Sequence, residues 1–225
     1  MSNLLDNIVW HTLQGPHARY AEGLGAVRRY AAGFPPFAAF ADTGNPDLAT
    51  LAQYVAAGEQ IYCDGWAAPA PAGWHIESES ELQKMVWNTA TPTADTTLET
   101  ILLGPQHQSA ILDLAALTSP GPFTVGSMAL GDYLGVFDGP RLLAMGGGRL
   151  CAGGYREISG VCTHPAYQGQ GMAKKLVSAL LHRHAQHHEK SFLRVMRANE
   201  AAFRLYVNMG FQHYGTSVAR VISYY

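Results

Sequence analysis

Residues 161–173 read VCTHPAYQGQGMA and predict the end of a strand, a turn and the start of a helix. The strand that contains Val161 ends at Pro165, and a turn with Gly169 and Gly171 precedes the apolar positions of the helix. Backbone N–H groups at the start of a helix form an anion site, and glycine lets a phosphate approach them closely. The segment lacks the GK[ST] of a P-loop and the GxGxxG of a dinucleotide turn. It is therefore either a phosphate-binding turn or an ordinary connection between a strand and a helix.

A second informative segment, residues 199–211, reads NEAAFRLYVNMGF. It predicts a helix over 200–209 that stops at Gly210, because glycine is the favoured residue just after a helix. The two segments match the patterns Q/R-x-x-G-x-G/A and N-x-x-A-x-x-L-Y followed by G-F. The matching residues are Gln168, Gly171, Ala173, Asn199, Ala202, Leu205, Tyr206, Gly210 and Phe211.

In both patterns and in their spacing, the chain resembles the GNAT superfamily of acyl-CoA-dependent N-acetyltransferases. The resemblance covers roughly residues 98–220 and is greatest to the glycine N-acyltransferase-like branch. It implies acetyl-CoA (coenzyme A) as co-substrate, no metal, and a primary amine of a small molecule or amino acid as acceptor. A rival hypothesis is a non-catalytic acyl-CoA-binding or association module on the same fold.

The resemblance assigns the acetyl-CoA site to the strand end, the turn and the second helix. The residues carried over are Val161, Cys162, Thr163, Gln168, Gly169, Gln170, Gly171, Met172, Ala173, Lys174, Asn199 and Tyr206. In such a site a backbone N–H near Val161 polarises the thioester carbonyl, and the N–H groups of residues 169–174 hold the pyrophosphate. Gln168 stands where arginine is commoner in the family, and Lys174 or Lys175 offsets part of the lost charge.

The implied reaction is direct attack of a neutral amine on the thioester. It needs a proton acceptor for the amine and a proton donor for the thiolate. Tyr206 stands at the family position of the acid, and the alternative is a packing tyrosine. Glu157 is the candidate base, because residues 157 and 161 share a face on a regular strand. The alternatives are a glutamate that faces solvent or pairs with Arg156, and a water chain that takes the proton. Arg194 occupies the other family position for a base and cannot accept a proton.

The chain changes character near residue 95. We expect an N-terminal α/β extension over 1–95, either a degenerate half-copy or a cap, and the acetyltransferase domain over 96–225. The order of elements after residue 98 predicts an α/β (α+β) fold with a mixed, mostly antiparallel sheet flanked by helices. Earlier in the chain we predict a helix over 47–57, strands over 60–63 and 74–77, and a linker over 91–95.

Composition excludes several classes of protein. The 225 residues carry a net charge of −2, with 14% charged and 48% hydrophobic residues, which argues against disorder and against nucleic-acid binding. No stretch approaches the roughly 18 apolar residues of a membrane span, and residues 1–6 do not resemble a signal peptide. Cys63, Cys151 and Cys162 predict free thiols. We therefore expect a cytoplasmic monomer or homodimer with no nucleic-acid or membrane partner.

His184 and His188 have metal-ligand spacing, which keeps a metal-dependent hydrolase as a third hypothesis. A solvated helix end explains the same histidines, because cationic side chains are favoured at a helix C-terminus.

Overall fold

The computed structural model describes residues 3–92 and 98–225. Its strands are β1 (Ala21–Glu22), β2 (Val27–Tyr30), β3 (Ala38–Phe40), β4 (Ile61–Asp64), β5 (Trp74–Val86), β6 (Ile101–Leu102), β7 (Tyr133–Asp138), β8 (Arg141–Ala152), β9 (Tyr155–Thr163), β10 (Lys190–Met196) and β11 (Gln212–Tyr224). Its helices are α1 (Ile8–Gln14), α2 (Leu48–Leu51), α3 (Gln108–Thr118), α4 (Met172–Gln186) and α5 (Glu200–Met209).

The strands form two sheets, a small one of order β1-β2-β3 and a large one of order β4-β11-β5-β10-β9-β8-β7-β6. In the large sheet β9 and β10 are parallel and the other neighbours are antiparallel. Helices pack on both of its faces. This confirms the prediction of a mixed, mostly antiparallel sheet flanked by helices.

Each face of the large sheet has its own core. On one face, Leu176 and Leu180 of α4 pack against Ile158 and Leu193. On the other face, Ile8 and neighbouring residues of α1 pack with the side chains of β8 and β10. Burial of these apolar side chains stabilises both layers, at about 1.5–3 kcal/mol for each large side chain.

Helix α5 is bounded by local signals. The Oδ1 of Asn199 accepts a hydrogen bond from the N–H of Ala202 at 3.2 Å, and Gly210 ends the helix with φ +107°. A side-chain oxygen before the first turn and a left-handed glycine after the last one are the usual helix boundaries. The predicted helix over 200–209 is confirmed.

Residues before 95 contribute to both sheets. β5 lies inside the large sheet, paired with β11 along its length and with β10 over its last residues, and β4 lies at the edge beside β11. The large sheet therefore continues across the predicted boundary at residue 95. The predicted linker over 91–95 lies mostly outside the described residues.

Two elements of this N-terminal part differ in length from their predictions. The strand predicted over 74–77 extends to Val86, because β10 and β11 pair with its polar residues. The helix predicted over 47–57 is wrong beyond α2 and a 3₁₀ turn, Ala52–Tyr54. There Arg29 donates to the carbonyl oxygen of Tyr54 and pairs with Glu59, which fixes the chain after the turn. None of the helices in the described residues is long and apolar enough to cross a membrane.

Candidate active site

A β-bulge in β9 shapes the site. Gly147 of β8 pairs with Ser159 and Met145 pairs with Cys162, so β9 has one extra residue in this interval. Gly160 has φ +62°, which favours glycine, and a Cβ there would lie 3.1 Å from the Tyr133 ring. A bulge of this kind interrupts the alternation of side chains along a strand.

The bulge changes the relation between Glu157 and Val161. Val161 and Ile158 both pack on the face covered by α4. Glu157 contacts Arg149 and Arg194 on the opposite face. The prediction that residues 157 and 161 share a face is therefore wrong, because it assumed an unbroken strand.

β9 and β10 separate just before the bulge. They pair only as far as Ile158 and Leu193. β10 then continues beside β5 to Met196, while β9 continues beside β8 to Thr163. A cavity of about 1220 Å³ opens between the two strand ends.

One side of this cavity is built from the predicted cofactor residues. The lining includes Val161, Cys162, Thr163, Gln168, Gly169, Gly171, Met172, Ala173, Lys174, Asn199 and Tyr206. Gln170 is exposed on the same turn. The structure thus brings the strand end, the turn and α5 to one cavity.

The turn leaves the start of α4 accessible. Gly169 and Gly171 have φ +79° and +76°, and a Cβ on either would meet no atom within 4 Å among the described residues. Gly171 is the N-cap of α4 and supplies no side chain to the first N–H groups of the helix. Those N–H groups and the helix dipole favour an anion at this position.

Thr163 carries an unpaired polar atom at the strand end. Its Oγ1 is buried and has no hydrogen-bond partner within residues 3–92 and 98–225. A buried hydroxyl without a partner costs about 1–3 kcal/mol. Thr163 lines the cavity, so a bound ligand is a natural partner for this group.

Tyr206 reaches the cavity from α5. It is 9% exposed, and its ring lies edge-on to Phe211 with centroids 5.8 Å apart. Burial raises the pKa of Tyr206 to about 12. The phenol is therefore neutral at physiological pH and able to donate a proton.

Glu157 lies in a buried ion-pair network. It is 1% exposed, and its carboxylate accepts hydrogen bonds from Arg194 Nε at 2.8 Å, Arg149 Nε at 3.4 Å and Leu150 N at 3.2 Å. Burial raises its pKa, but the guanidinium groups of Arg194 and Arg149 outweigh burial and hold the pKa below its usual value. Arg156, the alternative partner, pairs with Glu189 instead.

Comparison with known proteins agrees with this geometry. Residues 117–211 match the family model described as acetyltransferase (GNAT) family. The chain carries a GNAT acetyltransferase domain. No curated protein sequence matches the chain at a significant level.

Several solved structures have the same fold as this chain. A protein from the GNAT family of Novosphingobium aromaticivorans is 28% identical, with a TM-score of 0.92 and 100% of each chain covered. A GCN5-related N-acetyltransferase from Kribbella flavida is 16% identical, with a TM-score of 0.61, over 95% of this chain and 93% of its own. A GCN5-related N-acetyltransferase-like protein from Streptococcus suis is 14% identical, with a TM-score of 0.62, over 97% and 92%. The similarity to the glycine N-acyltransferase-like branch stays a prediction.

The far side of the cavity is not indicated by the sequence. We call this side the basic wall, and it consists of Phe37, Tyr62, Asp64, Arg149 and Arg194. Its charged residues stand singly on different strands and form no recognisable motif in the sequence. Their convergence depends on the strand order of the large sheet, in which β11 and β5 separate β4 from β10, and β9 separates β10 from β8.

The histidines of α4 in the GNAT domain are divided between core and surface. His184 is buried, its Nδ1 lies 2.8 Å from the hydroxyl of Ser191, and burial lowers its pKa to about 4. The prediction of a solvated helix end is therefore wrong for His184, because the end of α4 packs on β10. In the described residues no group of three or more His, Cys, Asp or Glu side chains is arranged to hold a metal ion.

Proposed function

We propose that this GNAT domain transfers the acetyl group of acetyl-CoA to the primary amine of a small molecule or amino acid. The observation that carries the proposal is the separation of β9 and β10 over a cavity that also meets the start of α4. A strand end with free backbone groups suits the pantetheine arm, and a helix start suits the pyrophosphate.

The residues present fit acetyl-CoA. The unpaired Oγ1 of Thr163 and the open turn at Gly169 and Gly171 supply polar groups for a ligand without crowding it. Lys174 lines the same part of the cavity and adds a positive charge near the proposed pyrophosphate position. Acetyl-CoA bound there supplies an activated acetyl thioester.

In the proposed reaction the lone pair of the amine attacks the thioester carbonyl carbon. A C–N bond forms and the C–S bond breaks, giving an acetamide and coenzyme A thiol. The nitrogen loses one proton, and the leaving thiolate gains one. Tyr206, as a neutral phenol, donates the proton to sulfur, and the N–H near Val161 stabilises the oxyanion.

Glu157 is the proposed proton acceptor. Its ion pairs make it a weak base, but a nitrogen that has just formed the C–N bond is strongly acidic and releases its proton readily. The two arginines that hold Glu157 line the cavity, and a water molecule is the proposed carrier between nitrogen and carboxylate.

The proposal is tested by incubating the protein with acetyl-CoA and a panel of primary amines, with and without a chelator. Thiol release and the mass of the product are measured together. We expect equal amounts of thiol and N-acetylated amine, unchanged by the chelator. Binding of acetyl-CoA without thiol release for any amine would instead support a non-catalytic module, and loss of turnover on chelation would support the hydrolase hypothesis.

A further inference from the structure

The basic wall places two largely buried guanidinium groups in the cavity of the proposed enzyme. The side chains of Arg149 and Arg194 are 11% and 6% exposed. Both guanidinium groups lie against the ring of Phe37, at 4.8 Å and 5.5 Å from its centroid. Burying a charge costs free energy unless it is paired, so the partners of each arginine are informative.

Arg194 is firmly paired within the protein. Its Nε donates to Glu157 at 2.8 Å, and its Nη1 lies 3.5 Å from an oxygen of Asp64. Arg220, which also lines the cavity, pairs with Glu79 at 2.7 Å and donates to the carbonyl oxygens of Ala67 and Ala68. These two arginines therefore have strong internal partners.

Arg149 is held more weakly. Its Nε lies 3.4 Å from Glu157, and its Nη1 lies 3.3 Å from the carbonyl oxygen of Pro122. Both distances are at the long end of the hydrogen-bond range. The carboxylate of Glu157 is shared with Arg194, which makes the shorter contact. Arg149 thus retains the capacity to bind a carboxylate in its planar, two-point geometry.

The charges around the basic wall are close to balanced. Arg149 and Arg194 are balanced by Glu157 and Asp64. Lys84 is buried nearby and donates to the carbonyl oxygen of Leu5. Its ammonium group interacts electrostatically with three carboxylates, Asp64, Asp6 and Glu157, and with Arg194. The case for an anionic group on a ligand therefore rests on the long internal contacts of Arg149.

Much of the remaining lining of this side is apolar, beside Ser78 and Ser80 of β5. Phe37, Tyr62 and Leu82 line the cavity there, together with Val9. Residues 161–174 and 199–206 occupy the proposed coenzyme side, so the basic wall is left for the acceptor. A ligand that fits it combines a carboxylate with an apolar body.

We propose that the acceptor is a free amino acid with an apolar side chain, and that Arg149 binds its carboxylate. This inference rests on the proposed function, because it names the substrate class of the same site. The chemistry is unchanged, with the amino group of the amino acid as nucleophile.

The experiment uses matched pairs of amines at saturating acetyl-CoA, followed by thiol release. Phenylalanine is compared with 2-phenylethylamine and phenylalaninamide, and leucine with isoamylamine and leucinamide. We expect kcat/KM to be about 10- to 100-fold higher for the amino acid of each set, because this factor corresponds to the free energy of one charge-assisted hydrogen-bonded pair. The preference should appear mainly in KM.

Arg149→Met and Arg149→Lys test the assignment. We expect both to reduce the preference for the carboxylate about tenfold or more, with Arg149→Lys retaining part of it as a point charge. Arg141→Met, at an exposed position of β8, is the matched control and should keep the preference.

The outcomes separate this inference from the proposed function. If the decarboxylated amines and amides react as well as the amino acids, the inference is overturned and the proposed function stands. If none of the amines reacts while acetyl-CoA binds, the proposed function is overturned and the inference with it. If the preference survives in folded Arg149 variants, the role of Arg149 is overturned.

Discussion

Glu157 and Val161 lie on opposite faces of β9, because the bulge at Gly160 inserts a residue between them. Val161 packs towards α4, and Glu157 pairs with the arginines of the basic wall. The strand thus serves two parts of one cavity, with backbone groups at the coenzyme side and a buried carboxylate behind the proposed acceptor side.

Replacing Gly160 by alanine tests the bulge. A Cβ at φ +62° costs about 1–2 kcal/mol and lies 3.1 Å from the Tyr133 ring, so we expect lower stability and weaker acetyl-CoA binding. Urea unfolding and calorimetry measure the two effects. Gly139→Ala is the control, because Gly139 has φ +54° in a hairpin turn with no described atom within 4 Å of a Cβ. It should lose stability and keep its affinity; an equal loss of affinity in both variants would contradict the role of the bulge.

Thr163→Val tests the unpaired hydroxyl. Valine has nearly the same shape and needs no hydrogen bond, so the free protein should be as stable as the wild type or more stable. Acetyl-CoA binding should weaken by about 1 kcal/mol, or roughly fivefold. The control is Ser217→Ala, which removes another unpaired buried hydroxyl, one that does not line the main cavity. Unchanged affinity in Thr163→Val would show that the hydroxyl does not contact the ligand.

Tyr206→Phe tests the proton donor. We expect kcat to fall about 100-fold while the Kd of acetyl-CoA changes little, because only the transition state uses the phenol proton. With a pKa of about 12, the phenol stays protonated to pH 10, so Tyr206 should cause no alkaline decline in kcat below that pH. Tyr225→Phe, at an exposed position, is the control. Wild-type kcat in Tyr206→Phe would reject the assignment.

Glu157→Gln tests the buried ion pairs. The substitution removes the negative charge that Arg149 and Arg194 share. We expect the free energy of unfolding to fall by about 3–5 kcal/mol at pH 7. Since the folded-state pKa of Glu157 is lowered, its contribution is present above the unfolded pKa and is lost as the pH falls through the folded one. The difference between wild type and variant should therefore shrink below about pH 4.

The matched control is Glu189→Gln. The Glu189–Arg156 pair is 20–25% exposed, so its loss should lower the free energy of unfolding by about 1 kcal/mol or less. Equal stability of Glu157→Gln and the wild type at pH 7 would contradict the ion-pair account. In folded Glu157→Gln, a lower kcat supports the role as base, and an unchanged kcat refutes it.

Local signals made the coenzyme side predictable. The helix ends are marked by adjacent residues, which are Gly171 before α4, Asn199 before α5 and Gly210 after α5. Each acts within one turn of the helix end that it marks. The end of β9 at Thr163 agrees with the strand end that the sequence predicts before Pro165. These features depend on neighbours in sequence, so the sequence alone indicates them.

The acceptor side could not be predicted in the same way. β5 contains exposed serines and glutamates and buries Gln83 and Lys84, so its pattern resembles a surface segment. Only pairing with β10 and β11, far away in sequence, makes it an interior strand. Arg149 and Arg194 meet Glu157 through the same long-range pairing, and the bulge at Gly160 changed the face on which Glu157 was expected.

The central claim is that acetyl-CoA binds where β9 and β10 separate. Isothermal calorimetry of the protein with acetyl-CoA, with free coenzyme A as the comparison, tests it most directly. We predict binding in the micromolar range, about −8 kcal/mol, for wild type and a clear loss in Thr163→Val. Absence of binding at millimolar acetyl-CoA would contradict the account, because the turn at Gly169 and Gly171 would then be a structural connection only.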